Sequence, residues 1–157
     1  LTNKKGCRII PLDQFCTGFK KNLREPDELI TSLSWKAPGR NTANLFYKLA
    51  RRKGDAIAVV GVAVTVTREG DRCTQARIAL GAVGPTVFRA KDAEKKLTGA
   101  LLSEELIEQA AQIAMKQSTP IDDLRASADY RRHSVHVLTR RLITQAWQSL
   151  PEKVADK

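Results

Sequence analysis

Apolar residues alternate without a break along one stretch of the chain: Ala58, Val60, Val62, Val64 and Val66 recur at period two. That spacing puts them on one face of an extended strand. The opposite face begins with Ile57 and Val59 and then turns to small and hydroxyl residues, so the strand is predicted to be long and mostly buried. Arg68-Glu69-Gly70-Asp71-Arg72 supplies a turn with a glycine able to take positive φ. Beyond it Ala76, Ile78, Leu80 and Ala82 alternate again, and the two runs predict an antiparallel hairpin. Gly81 and Gly84 weaken the second strand, which suits a place where a neighbour approaches its backbone closely, and Pro85 keeps its end out of a central ladder. A further short strand is expected over 86–89.

The period then changes from two to that of a helix. Residues 90–97 fit two turns. Ser103 is placed as an N-cap, with Glu104 and Glu105 in the first turn where the helix dipole favours anions. Leu106, Ala110, Ile113 and Ala114 share one face until Pro120 ends the run. A last helix is predicted over 127–150, with Val135, Leu138, Leu142 and Ala146 as its apolar stripe and the pairs Arg131-Arg132 and Arg140-Arg141 mainly off it. Strands first and helices afterwards predict an α+β domain, a small antiparallel sheet with helices on one face.

Residues before about 45 read differently. Short apolar pieces alternate with turn formers, as in Ile9-Ile10-Pro11-Leu12, Thr17-Gly18, Arg24-Glu25-Pro26-Asp27 and Ala37-Pro38-Gly39-Arg40. One strand is expected over Leu29–Trp35, which is β-prone and bounded by Pro26 and Pro38. This part does not read as a self-sufficient domain.

Charge sharpens that division. The 157 residues carry 27 Lys plus Arg against 17 Asp plus Glu, a formal net charge of +10. Residues 1–54 hold 12 basic and 4 acidic side chains, whereas residues 55–157 hold 15 and 13. A basic total invites a polyanionic partner, but an excess that falls nearly all in the first third disfavours nucleic acid as that partner. A hydrophobic fraction of 42% argues against wholesale disorder, and no apolar run is long enough to span a membrane. A start at Leu1 with no charged and apolar leader pattern reads as an incomplete chain without a secretion signal.

Candidate chemistry is sparse. Cys7, Cys16 and Cys73 are odd in number and lack C-x-x-C spacing, so they are read as reduced thiols of a cytoplasmic protein rather than as disulfides, a zinc ribbon or cluster ligands. His133 and His136 are three apart on a predicted helix, but nothing nearby completes a metal site. Asp122-Asp123 are expected to cap the last helix or pair with Arg125 or Arg131 rather than act as an acid/base pair. No phosphate-binding glycine motif or nucleophile elbow occurs. The densest cluster is 46–58, FYKLARRKGDAIA, where aromatic and aliphatic residues interleave with cations. A basic run before a strand is ordinarily a solvated loop; the interleaving also fits a flat, anionic aromatic cofactor.

Several motifs in one order carry a family resemblance: residues 48–58, Ala79-Leu80-Gly81-Ala82-Val83-Gly84-Pro85-Thr86, Ala93-Glu94 with Leu97-Thr98-Gly99, and Pro120-Ile121-Asp122-Asp123-Leu124-Arg125-Ala126-Ser127-Ala128-Asp129-Tyr130-Arg131-Arg132. Together they resemble the C-terminal domain of the flavin-binding medium subunit of molybdenum hydroxylases, the family of carbon monoxide and xanthine dehydrogenases. Arg8 to Leu12 with Phe15, and Pro26 to Ile30, resemble two strands leading out of the preceding flavin domain. The resemblance implies a sheet of three to four strands covered by helices over 41–157, with 1–40 as the tail of a truncated FAD-binding domain and a connecting strand. The glycine-rich segments that hold the flavin pyrophosphate would lie upstream. It implies FAD as cofactor, with Ile30 near the flavin ring, Lys48 near its pyrimidine end and Asp55 with Ile57 in the loop and strand start beside it. It also implies a molybdopterin-binding large subunit and an iron-sulfur small subunit as partners, with this chain inactive alone. The run 122–132 would be structural, fixing the entry of the last helix. The alternative is a non-catalytic assembly module that binds no FAD by itself.

Overall fold

The computed structural model describes residues 1–151. The elements, in order, are β1 (Thr2–Asn3), β2 (Gly6–Cys7), α1 (Leu12–Phe15), β3 (Cys16–Gly18), β4 (Lys21–Asn22), β5 (Thr42–Ala50), β6 (Ala58–Glu69), β7 (Arg72–Gly81), β8 (Phe88–Arg89), α2 (Lys91–Leu97), α3 (Glu104–Gln117) and α4 (Ala128–Gln148). β5 to β8 form one antiparallel sheet in sequence order. This is an α+β fold, with its long helices on one face of the sheet.

The register explains which face. Leu45 pairs with Val64, Val64 with Ile78, Tyr47 with Val62, and Val62 with Leu80. Paired residues point the same way, so the period-two valines of β6 join Ile78 and Leu80 in a single apolar layer. All of these valines from Val60 to Val66 are fully buried. Each such side chain contributes roughly 1.5–3 kcal/mol on removal from water. Onto this layer pack Ala93 and Leu97 of α2, Ile107, Ala110 and Ala114 of α3, and Val135, Leu138, Leu142, Ile143 and Ala146 of α4. The α3 face is rotated from the expected one: Ile107 and Ala111 are buried, while Leu106 and Ile113 are half-buried. On the other face of the sheet lie Asn44, Phe46 and Lys48, then Gly61, Ala63 and Thr65, then Arg77, Ala79 and Gly81.

Local chemistry sets the element ends. The β6–β7 turn centres on Gly70 at φ 56°, a conformation that costs glycine nothing. Arg68 stays in the strand, buried, with Nε donating to the Gly70 carbonyl at 2.8 Å and its guanidinium 4.3 Å from the Trp147 ring centroid. Gly84 accepts a close approach: a Cβ there would meet the Phe88 ring at 3.1 Å. Ser103 Oγ accepts from the Leu106 N–H and Ser127 Oγ from the Tyr130 N–H, capping α3 and α4. No helix among the described residues is long and apolar enough to cross a membrane.

The first forty residues depart from expectation. Of the strand expected over Leu29–Trp35, only Leu29 is bridged, to Thr2; residues 30–39 have no regular secondary structure and no ladder partner among the described residues. Residues 8–11 likewise form no strand, and the pairing falls instead to β1–β2 and β3–β4. An extended segment becomes a strand only when a neighbour satisfies its N–H and C=O groups, and that condition is invisible in local composition.

Candidate functional site

The interleaved cluster 46–58 spans two structures rather than one loop. Its first part is the end of β5, the edge strand, and its second is the connection 51–57 that leads into β6. The strand was hidden because Phe46-Tyr47-Lys48 put bulky or charged groups on both faces. The signal that could have found it is Ala43, Leu45, Tyr47 and Leu49 at period two. A register shift between Leu49 and Ala50 breaks the pairing and releases the chain into the β5–β6 tip.

The tip brings three of the four candidate residues together. Lys48 leaves the open face of β5 with its Nζ donating to the Ala56 carbonyl at 3.1 Å. Asp55 and Ile57 flank that carbonyl in the chain. Arg52 Nη2 donates to the Asp55 carbonyl at 3.0 Å, closing the turn. Ile57 is 67% exposed, an aliphatic side chain held at the surface beside a cation. Ile30 is not brought to this place by any hydrogen bond among the described residues. Its neighbours Leu29 and Thr31 are tied to Thr2.

A buried network fixes the base of the tip, and sequence reasoning placed only part of it. Arg131, in the first turn of α4, is 3% exposed and lies in line with Val135, Leu138 and Leu142. The other three arginines of the two pairs are exposed or half-buried. Arg131 Nη1 donates to the Val59 carbonyl at 2.7 Å and the Ala82 carbonyl at 3.0 Å; Nη2 donates to Asp123 Oδ1 at 2.7 Å. Asp123 Oδ1 also accepts from the N–H groups of Arg125 and Ala126 at 2.8 and 3.2 Å, and Oδ2 from Arg125 Nη1 at 2.7 Å. The Arg125 backbone N–H, with the Arg131 guanidinium, the Ala126 N–H and the Arg125 guanidinium, holds the Asp123 carboxyl well below the usual carboxylate range against the opposing effect of burial. Asp122 Oδ1 accepts from the Ala128 N–H at 2.7 Å. These two aspartates shape the entry of the last helix, and both are occupied by it.

Ala82 corrects the pattern of the second strand. It is not the last inward residue: β7 ends at Gly81, and Ala82 is exposed at φ 62°. A non-glycine residue there costs about 1–3 kcal/mol. The Arg131 bond to its carbonyl and the bond from the Thr119 N–H to the Val83 carbonyl, 2.8 Å, hold it.

The remaining sequence candidates sit apart. His136 Nε2 lies 2.7 Å from Glu108 Oε1, joining α4 to α3, while His133 is exposed. Cys73 is buried, which pushes its thiol up to about 11; Cys7 and Cys16 are exposed.

Chemically, an isoalloxazine ring needs an apolar contact on its face and a cation or donor near N1 and the C2 carbonyl. Exposed Ile57 and Lys48, one of whose protons is engaged by Ala56, present both within one hairpin tip, so the residues present fit that part of a flavin. The profile of the family described as CO dehydrogenase flavoprotein C-terminal domain matches residues 45–146, from β5 into α4. The carbon monoxide dehydrogenase medium chain of Hydrogenophaga pseudoflava is 31% identical over 147 residues, covering 94% of this chain and 51% of that one. The nicotinate dehydrogenase FAD-subunit of Eubacterium barkeri is 35% identical over 157 residues, covering 96% and 52%. Among solved structures, carbon monoxide dehydrogenase from Hydrogenophaga pseudoflava lacking the Mo-pyranopterin moiety superposes with a TM-score of 0.89 at 32% identity, covering 94% of this chain and 51% of that one. The chain spans about half the length of the curated relatives it matches.

Proposed function

The chain belongs to the CO dehydrogenase flavoprotein C-terminal domain family, and from that membership we propose that it forms one wall of the FAD site in the medium subunit of a molybdenum hydroxylase. Residues 41–157 are this wall, and residues 1–40 are the trailing part of the flavin-binding domain that precedes it. In the complete cytoplasmic enzyme a molybdopterin-binding large subunit oxidises the substrate and an iron-sulfur small subunit relays the electrons. FAD supplies the redox chemistry that passes them to an acceptor.

The chain's own residues bind and tune. Lys48 places a positive charge at the pyrimidine end of the ring, which favours the anionic reduced form. Ile57 and Ile30 cover apolar ring surface and exclude water, and Asp55 belongs to the turn that orients Lys48 through the Ala56 carbonyl. The observation that carries this reading is the convergence of Lys48, Asp55 and Ile57 on one hairpin tip inside the segment matched by the family. In the full-length subunit, Lys48→Met is expected to weaken FAD binding or lower the flavin midpoint potential. An unchanged affinity and potential would remove Lys48 from the site.

A second reading is a subunit-assembly module that holds no FAD by itself. It draws support from the exposure of the large apolar side chains Ile9, Leu12, Phe19, Leu33 and Trp35, which a protein partner would remove from water. Flavin absorbance that stays with the purified chain after added FAD has been removed by desalting favours the first reading; a chain left colourless favours the second.

A further inference from the structure

We propose that Arg131, together with Asp123 and Arg51, is the positioning device that sets where the β5–β6 tip presents Lys48, Asp55 and Ile57. The inference rests on the flavin reading above. The tip is fastened on both sides to a single segment, 123–131. On its exit side, Arg131 Nη1 holds the carbonyl of Val59, two residues beyond Ile57. On its entrance side, Arg51 Nη1 donates to the Leu124 carbonyl at 3.1 Å, and Leu124 adjoins the Asp123 that Arg131 grips. Leu124 is itself 98% exposed, so its place in the structure is that of a backbone acceptor rather than of a packed side chain.

The chemistry suits positioning. A guanidinium is planar and permanently charged, and its donors leave in fixed directions. Here one nitrogen bridges the carbonyls of two different segments and another meets a carboxylate that two backbone N–H groups already orient. Displacement of α4 or of the 122–127 turn is thereby transmitted to the start of β6 and to Ala82. Arg131 and Arg51 reach no ring atom and are positioning residues, because each acts through a carbonyl of the chain that carries the flavin-facing groups.

The test uses the full-length subunit and four variants: Arg51→Ala, Arg131→Lys, and the direct pair Lys48→Met and Ile57→Ala. FAD dissociation is read by flavin fluorescence, the ring environment by the visible spectrum and midpoint potential, and folding by the melting temperature of the apoprotein. Arg51→Ala is expected to leave the melting temperature unchanged and weaken FAD about threefold to tenfold, the loss of part of one contact. Arg131→Lys is expected to weaken FAD by more than tenfold and to shift the spectrum, since an ammonium cannot span both carbonyls and Asp123. If the direct pair changes binding or spectrum while Arg51→Ala and Arg131→Lys stay native in both, the positioning role is overturned and the flavin reading stands. If the direct pair changes nothing, the flavin reading fails and this inference with it. An effect of Arg51→Ala without one of Arg131→Lys overturns the part assigned to Arg131. Should Arg131→Lys not fold, Asp123→Asn, which keeps the acceptor oxygen for the backbone N–H groups and removes the charge, takes its place with the same expected spectral shift.

Discussion

Residues 1–40 and residues 41–151 contain similar apolar side chains and use them in opposite ways. In the second region Val62, Val64, Ile78 and Leu80 lie under three helices and are fully buried. In the first, Ile9, Leu12, Phe19, Leu33 and Trp35 are exposed, and the strands are two or three residues long. Among the described residues, the hydrogen bonds of residues 1–31 close within that segment, chiefly around Glu28, which accepts from Arg8 Nε and Nη2 at 2.6 and 2.7 Å and from the Glu25 N–H at 2.7 Å. Order in the first region is thus held by polar contacts around one carboxylate, and in the second by an apolar layer. Apolar residues alone do not make a core; a second layer to bury them against does.

The comparison breaks most sharply at the cysteines. Cys7 and Cys16 are exposed in the first region, whereas Cys73 is buried beneath the second. With a thiol reagent at neutral pH, two groups are expected to react at once. Cys73 should react roughly 10^3-fold slower or more, because it must await opening of the core. Mass spectrometry after a short pulse checks this, and three equal rates would mean that the sheet does not seal Cys73.

Stability gives the next largest contrast. Leu80→Ala removes a fully buried side chain from the centre of the apolar layer and should cost about 2–5 kcal/mol. Leu33→Ala removes an exposed one and should change stability by no more than about 0.5 kcal/mol. Paired urea melts followed by helical circular dichroism measure both, and equal costs would erase the distinction between the regions.

The smallest effect concerns pH. The Arg8 guanidinium, with the Glu25 N–H, draws the Glu28 carboxyl from 4.5 down to about 2. A depressed carboxylate contributes order that is complete above 4.5 and is lost as pH falls through about 2. The Glu28 carboxyl carbon and the Arg8 Nε–H that donates to this carboxyl should therefore shift over that window, and Glu28→Gln should abolish the Arg8 transition. A midpoint near 4.5 would show that the Arg8 contact does not persist in solution.

Legibility followed the range of the interactions involved. The β6–β7 hairpin, the Ser103 cap and the approximate extents of α2, α3 and α4 could be read because each depends on residues within a turn or a strand of one another, whereas the last helix, expected to be capped by Asp122 or Asp123, is capped by Ser127. β5 escaped because its inward set, Ala43, Leu45, Tyr47 and Leu49, is interleaved with Phe46 and Lys48 on a half-covered edge. Arg131 was legible as a partner of Asp123 but not as a buried residue, since its other acceptors are backbone carbonyls at Val59 and Ala82, far away in sequence. Lys48, Asp55 and Ile57 are close in the chain and converge on one tip, whereas among the described residues no hydrogen bond joins Ile30 to them.

By itself the sequence determined the α+β order of elements, the buried face of β6 and the family resemblance, because periodicity and motif order are local properties of a chain. Only the tertiary structure decided that residues 30–39 form no strand, that Ala82 turns out of the sheet and that a helix arginine grips the base of the β5–β6 tip. Each of these depends on whether a distant segment supplies a hydrogen-bonding partner, and the free energy of a backbone N–H, a carbonyl or a buried guanidinium is set by that partner.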